Sequence, residues 1–147
     1  MTEKLPSILF NASVVLAGFK SPKGGSGKVL LWARNGKIKG LISEIILDEI
    51  LRNAPKIGFD RGYLHKKIKS IFQIKKEPTP ETVNRFQKIV LNLGDAHVLA
   101  SSQETGADYL VTLDQKHLLV LKDKIKQFKI VTPGQLIEII DPFFKKL

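Results

Sequence analysis

Apolar and polar residues divide the chain into short segments that are typical of strands and of helices in turn. Strands are predicted over residues 7–10, 37–43, 108–112 and 129–132. Helices are predicted over residues 28–36, 44–53, 60–74, 78–90, 94–106, 114–121 and 133–140, from apolar residues on one face and from capping signals. Strands that alternate with helices predict an α/β fold with a mainly parallel sheet.

The first apolar segment is interrupted by polar side chains, in the run SILFNASVVLAGF. Asn11 and Ser13 stand where the first strand ends, ahead of a Gly/Ser/Pro-rich connection predicted over residues 18–27. A buried polar group must be hydrogen-bonded or take part in chemistry, because an unpaired one is costly. Ligands of parallel sheets bind at the carboxyl ends of the strands, so these two residues are candidates for a site.

Three acids follow other predicted strands or begin helices near the same edge. Glu49 lies beside the apolar stripe of the helix over 44–53, Asp95 begins the helix over 94–106, and Asp114 follows the strand over 108–112. Taken singly, Asp95 and Asp114 occupy positions typical of helix N-caps. If the three carboxylates converge, Mg²⁺ or Mn²⁺ would relieve their repulsion and activate water toward a phosphodiester.

The charge of the chain favours a polyanionic partner. Lys and Arg number 24 against 14 Asp and Glu, which gives a net charge of +10 and a pI near 9.8. Such a surplus adds affinity for nucleic acid, although a solvated basic surface is the alternative interpretation. Lys28, Arg34 and Arg61 are candidates for nucleic-acid backbone contacts from their charge alone.

Several other classes are disfavoured. The run GGSGK is not a phosphate-binding loop, because Pro22 and Val29 stand where that motif requires Gly and Ser or Thr. His65, His97 and His117 are too scattered for a metal motif, and without cysteine any metal must be held by oxygen or imidazole. No apolar run is long enough to span a membrane. We expect a single domain over residues 1–147 and a cytoplasmic location.

Four segments resemble the PIN domain family: ILFNASVVLAGF, GLISEIILDEILR, GDAHVLASSQETGADYLVTLDQKHLL and KIVTPGQLIEII. The resemblance covers essentially the whole chain, is most specific over residues 94–119 and is poor over residues 53–92. It implies a three-layer α/β/α fold. It also implies a ribonuclease that uses Mg²⁺ or Mn²⁺ held by four acids. Many such proteins are toxins of toxin–antitoxin pairs, and the family often forms homodimers.

Matched position by position, the resemblance puts the second acid of the family at Glu49, the third at Asp95 and the fourth at Asp114. Thr112 takes the small polar position near the metal. The first acid normally opens an Asp-Thr-Asn motif, which here reads Asn11-Ala12-Ser13. Asparagine can offer a carbonyl oxygen to a cation but brings no charge, so metal binding should weaken.

Two functions follow as hypotheses. The first is a metal-dependent endoribonuclease, with RNA and an antitoxin as partners. Its catalytic and metal-binding residues would be Asn11, Glu49, Asp95 and Asp114, supported by Ser13 and Thr112. The second is a catalytically inactive module that binds RNA or a protein. Asn11 favours the second hypothesis, and the presence of the other three acids favours the first.

Overall fold

The computed structural model describes residues 4–145, with side chains described through residue 141. Its strands are β1 Ser7–Phe10, β2 Lys39–Ser43, β3 Gln73–Lys75, β4 Tyr109–Val111 and β5 Lys129–Val131. Its α-helices are α1 Ala12–Lys20, α2 Gly25–Arg34, α3 Glu44–Asn53, α4 Arg61–Ile71, α5 Pro80–Gln87, α6 Leu93–Glu104 and α7 Pro133–Lys145. Short 3-10 helices span Ala54–Ile57 and Leu119–Leu121. Within the described part of the chain, no helix is both long and apolar enough to cross a bilayer.

The strands form one parallel sheet in the order β3-β2-β1-β4-β5. The chain builds outward from β1 toward β3, then returns and builds from β4 toward β5. Because parallel crossovers are right-handed, connections that run in opposite directions along the sheet lie on opposite faces. The three-layer α/β/α fold is therefore confirmed. Residues 1–3 and 146–147 of the predicted domain lie outside the described residues.

The core is centred on β1. Ile8, Leu9 and Phe10 are all fully buried, as expected for a central strand covered by helices on both faces. The ring of Phe10 meets that of Phe72 edge-on, with ring centroids 4.9 Å apart. This packing holds the end of β1 in place, and Asn11 follows that end directly.

Helix α1 contradicts the sequence prediction, which placed no helix between residues 11 and 27. Val14 and Val15 are β-branched and look strand-like, yet both are fully buried in a helix. The Gly/Ser/Pro-rich connection therefore shrinks to residues 21–24 between α1 and α2. Tertiary packing outweighed local propensity here, because α1 covers the core and contacts both α2 and α3.

Strand β3 is the second difference, because the predicted helix over 60–74 ends at Ile71. Phe72 takes an extended conformation, and its ring packs where a Cβ on Gly40 would lie only 2.9 Å from it. Pairing with β2 then holds the three residues of β3 in the sheet. Gly40 leaves room for the Phe72 ring, and the chain joins the sheet beyond it, which no local pattern around residue 72 indicates.

The predicted helix over 114–121 is also wrong in most of its length. Residues 115–118 form turns, and only Leu119–Leu121 form a 3-10 helix. The predicted starts of the helices over 44–53 and 133–140 are confirmed. The Ser43 hydroxyl accepts the amide hydrogen of Ile46 at the start of α3, and Thr132 and Gln135 bond reciprocally at the start of α7.

Close packing at the start of α2 explains the glycine at position 27 of the run GGSGK. A Cβ built on Gly27 would lie 2.1 Å from the backbone oxygen of Pro22, closer than atoms can approach. Across from it, a Cβ on Gly18 would lie 3.0 Å from the oxygen of Ser26. The glycines therefore allow α2 to approach α1 and the turn before it.

Gly27→Ala should lower the free energy of unfolding by about 2 kcal/mol or more, because the backbone must move to relieve the overlap. Urea denaturation followed by circular dichroism measures this. The matched control is Gly25→Ala in the same helix, where the new methyl would lie 3.7 Å from Pro133, an ordinary contact. Equal stability of the two variants would contradict the close approach of α2 to Pro22.

Candidate active site

The candidate site lies between β1 and β4, where the order in which the strands are connected along the sheet reverses. The chain leaves β1 toward β2 and leaves β4 toward β5. The connections that follow these two neighbouring strands therefore lie on opposite faces of the sheet. A crevice forms at such a switch point, and it is the usual ligand site of open parallel sheets. Here the crevice is a cavity of about 290 Å³.

Five elements contribute side chains to this cavity: the ends of β1, β2 and β4, helix α3 and the start of α6. Its lining includes all four residues predicted as the catalytic set, Asn11, Glu49, Asp95 and Asp114. Ser43, Arg52, Asn92, His97 and His117 also line it. The residues predicted to meet at the sheet edge are therefore brought to one cavity, although their roles stay predictions.

A relay of hydroxyl groups connects the ends of β1 and β4. The amide hydrogens of Leu113 and Asp114 are donated to the hydroxyls of Ser13 and Thr112, at 3.3 and 3.1 Å. Both hydroxyls then donate to Oδ1 of Asn11, at 2.6 Å from Ser13 and 3.2 Å from Thr112. Both lone pairs of this oxygen are thereby used, and none remains for a cation in this arrangement.

The closest group of potential metal ligands consists of Asp95, Asp114 and His117. One ligand atom from each lies within 4.8 Å of the others. Asp114 accepts the backbone amide hydrogen of His117 at 2.9 Å, and the ring Nδ1 of His117 lies 3.3 Å from its carboxylate. Asp114 therefore does not cap a helix as predicted, because residues 115–118 form turns, but its carboxylate stabilises the turn that brings the imidazole to the cavity.

Asp95 occupies a different position from the one predicted. The N-cap of α6 is Asn92, whose side-chain oxygen accepts the amide hydrogen of Asp95 at 3.2 Å. Asp95 is therefore inside the first turn, and its carboxylate accepts no hydrogen bond from the side chains and backbone described here. This leaves the carboxylate available to a ligand in the cavity.

Glu49 reaches the cavity from α3. Ser43, Ile46 and Glu49 are three residues apart in turn, so they lie on the same face of the chain as it enters and follows this helix. Glu49 is exposed and lies outside the close group of Asp95, Asp114 and His117. It can act at the rim of the cavity, where its longer side chain faces solvent.

The two aspartates repel each other in this cavity. Burial, and next the negative charge of Asp114, raise the pKa of Asp95 above its usual value of 3.8, while His117 opposes the shift. A divalent cation between the carboxylates would remove this repulsion, and oxygen ligands suit Mg²⁺ and Mn²⁺. The donor set therefore fits a divalent ion.

The cations predicted to contact nucleic acid do not line this cavity. Lys28 lies over the ring of Trp32, with its Nζ 5.6 Å from the ring centroid. Arg34 lines a separate groove, and the guanidinium of Arg61 donates to the backbone oxygen of Leu51 at 3.1 Å. The cation that does line the cavity is Arg52, on the same face of α3 as Glu49.

Sequence reasoning missed Arg52 and His117. His117 follows Asp114 by three residues, which is the spacing at which a capping aspartate receives an amide hydrogen and its neighbour's side chain lies close. That local signal was available in the run DQKH. Arg52 lies one helical turn beyond Glu49, and this spacing also indicated a shared face.

The fold and this cavity define an α/β protein with an acidic site at the switch point of a parallel sheet. A sequence model described as PIN domain matches residues 7–116. The chain belongs to the PIN domain family. Proteins of this family generally depend on divalent metal ions, and Asp95, Asp114 and His117 provide the donors for one. No curated protein sequence matches the chain.

Three solved structures share this fold. The protein PAE2754 from Pyrobaculum aerophilum is 20% identical with a TM-score of 0.62, over 93% of this chain and 96% of its own. VapBC2 from Rickettsia felis, bound to a DNA fragment from its promoter, is 17% identical with a TM-score of 0.59, over 86% and 98%. The sarcin-ricin loop cleaving toxin VapC20 from Mycobacterium tuberculosis is 14% identical with a TM-score of 0.55, over 74% and 91%.

Asp95→Asn should raise the melting temperature of the metal-free protein at neutral pH. The raised pKa means that the charged form costs more in the folded state, and this cost is present above the raised pKa. It disappears as the pH falls below 3.8, where both states become protonated, so the difference should shrink toward that pH. Calorimetry in a chelator across a pH series measures it.

The control is Asp48→Asn, which removes an equal charge from an exposed position on α3. Its melting temperature should differ little from that of the parent protein at every pH. A destabilising effect of Asp95→Asn at neutral pH would show that the helix dipole outweighs the repulsion from Asp114.

Proposed function

We propose that this protein is a divalent-metal-dependent endoribonuclease and the toxin of a toxin–antitoxin pair. The observation that carries the proposal is the cavity at the switch point, where Asp95 and Asp114 approach each other closely and Glu49 lies at the rim. Membership of the PIN domain family supports it, as do two structural neighbours whose names identify them as a VapBC complex and a VapC toxin.

Asp95 and Asp114 would hold the ion, with Glu49 completing its surroundings directly or through water. When bound, a divalent ion supplies positive charge to a scissile phosphate and lowers the pKa of water. Asp95 suits this role because its carboxylate accepts no hydrogen bond from residues 4–141. Asp114 suits it because its carboxylate accepts the backbone amide hydrogen of His117 and its own amide hydrogen is donated to Thr112, which hold it in place.

We assign Asn11 a positioning role. Its Oδ1 receives the hydroxyls of Ser13 and Thr112 and so joins the two strand ends that carry the site. An aspartate has the same shape, would keep both bonds through one oxygen and would add a second oxygen and a negative charge. The present residue therefore preserves the geometry of the site while lowering its attraction for a dication.

The RNA substrate would be held by the basic surface of the protein. The net charge of +10 favours binding to phosphates without any reading of bases. Arg52 is the cation best placed to contact the scissile region, because it lines the cavity and forms no hydrogen bond or ion pair within the described part of the chain. Lys28, Arg34 and Arg61 would act farther away.

The second candidate function is an inactive PIN-fold module that binds RNA or a protein. The saturated oxygen of Asn11 favours it, since the position of the first acid then contributes neither charge nor a free lone pair. The two functions make different predictions for a single substitution.

Asn11→Asp should raise metal-dependent RNA cleavage by roughly 10- to 100-fold, because a fourth carboxylate strengthens the hold on the ion. The parent protein should cleave weakly, and Asp95→Asn should reduce cleavage to background. Fluorescent RNA oligonucleotides of varied sequence, incubated with Mn²⁺ or with a chelator, measure the rates on gels. Asp48→Asn is the charge-matched control and should cleave as the parent does.

Binding of the same oligonucleotides separates the hypotheses. If the parent protein and Asn11→Asp both bind RNA and both fail to cleave it with Mn²⁺ or Mg²⁺, the inactive module is the correct description. If cleavage survives Asp95→Asn or the chelator, the cavity is not the catalytic site.

A second cavity supports an antitoxin as the partner. It has a volume of about 350 Å³ and is lined by residues of α1, α2 and α4 together with Phe59. We call it the apolar groove. Phe19, Phe59 and Tyr63 form a row of ring contacts along it, while Leu31 is 49% exposed and Tyr63 51% exposed. None of its lining residues lines the acidic cavity.

The charges around the apolar groove indicate its occupant. Arg34 and Lys67 line it, and Lys67 also lies 5.6 Å from the centre of the Tyr63 ring. An amphipathic helix with apolar residues on one face and acids along its sides would match both the rings and the cations. We propose that an acidic amphipathic segment of the antitoxin binds here.

An acidic amphipathic peptide with leucines on one face and glutamates on the other should bind this groove. A peptide with lysine in place of each glutamate should bind much more weakly, because Arg34 and Lys67 repel it. Leu31→Glu should weaken the acidic peptide by about tenfold or more. Fluorescence anisotropy measures the affinities, and Val120→Glu is the control, since Val120 is 62% exposed outside the groove. Equal binding of both peptides would overturn this assignment.

A further inference from the structure

We propose that His117 is a direct nitrogen ligand of the ion held by Asp95 and Asp114, and that it makes the site select Mn²⁺ over Mg²⁺. The inference rests on the proposed function, because it assigns the ion of that same site. It adds a residue that lies outside the quartet expected for the family and names the consequence for metal choice.

The distances allow one ion to reach all three side chains. Ligand atoms of Asp95, Asp114 and His117 lie within 4.8 Å of one another. Two ligands on opposite sides of an ion with bonds of about 2.1 Å are about 4.2 Å apart. Small rotations of the side chains are therefore enough to enclose an ion, and no backbone movement is needed.

The turn that follows β4 holds the backbone of His117 beside the cavity. Asp114 accepts the backbone amide hydrogen of His117 at 2.9 Å, which fixes the backbone of the turn. The ring lines the acidic cavity while its side chain is 62% exposed, so it can rotate without losing packing. His65, on α4, does not line this cavity and therefore serves as the comparison.

The charge balance also favours a neutral ligand at this position. Asp95 and Asp114 already repel each other, and a further carboxylate in the close group would add to this repulsion. Neutral imidazole donates a lone pair without adding negative charge. It fills a ligand position in a site whose residue 11 is an asparagine with a saturated oxygen.

A nitrogen ligand changes which ion the site prefers. Mg²⁺ is bound almost entirely by oxygen and keeps its waters, whereas imidazole suits the first-row transition ions. With two carboxylates and one imidazole, Mn²⁺ should therefore bind more tightly than Mg²⁺. The alternative is that His117 only donates a hydrogen bond to Asp114 and holds that carboxylate in place.

Pulsed electron paramagnetic resonance of the Mn²⁺-loaded protein distinguishes these two roles. A directly bound imidazole should give nitrogen modulation of the Mn²⁺ electron spin echo, and His117→Asn should abolish it. The same variant should lower the affinity for Mn²⁺ by at least about tenfold, the effect that even an outer-shell change can have. The affinity for Mg²⁺, measured by its competition with Mn²⁺, should change little.

His65→Asn is the control, because His65 does not line the cavity, and it should keep both the nitrogen modulation and the affinity for Mn²⁺. If Mn²⁺ binds and depends on Asp95, but the parent protein shows no nitrogen modulation or keeps it in His117→Asn, His117 is not a ligand and the proposed function stands. If the parent protein binds neither Mn²⁺ nor Mg²⁺, the metal-dependent function itself fails. Thermal melting of each variant shows that it is folded.

Discussion

The parallel pairing of β1 with β4 is the interaction on which the candidate site depends. It places Asn11 beside Thr112, which is 101 positions away, and the amide hydrogen of Asn11 is donated to the oxygen of Val111 at 3.0 Å. Hydroxyl groups then continue this pairing beyond the last residue of each strand. Because neutral hydrogen bonds suffice to hold these ends together, the geometry of the site does not require a charge at position 11.

Acidic side chains gather in one cavity of this basic protein, together with Arg52 and His117. A net positive chain concentrates two close aspartates in one cavity, while an apolar groove with its own cations lies among α1, α2 and α4. A divalent cation in the cavity would relieve the repulsion between its carboxylates, and the net positive charge favours polyanionic partners. A divalent ion in the cavity would contact the carboxylates of the protein and a phosphate of the polyanion at the same time.

Local signals explain which parts of the fold were predictable. The buried run of β1, the serine cap of α3 and the start of α7 at Pro133 depend on neighbouring residues and are found where expected. Helix α1 and strand β3 were missed for the opposite reason. The valines of α1 favour a strand by local propensity but are packed in a helix against the core, and β3 depends on its pairing with the distant strand β2.

The sequence by itself determined the class of fold, the family and the residues that the acidic cavity brings together, because strand ends and helix starts carry those residues wherever the sheet forms. Only the tertiary structure decided that Asp95 and Asp114 are close neighbours, that Oδ1 of Asn11 is saturated and that His117 joins the aspartates while Glu49 stays at the rim. These relations depend on how strands from distant parts of the chain pair, and no local pattern specifies that pairing.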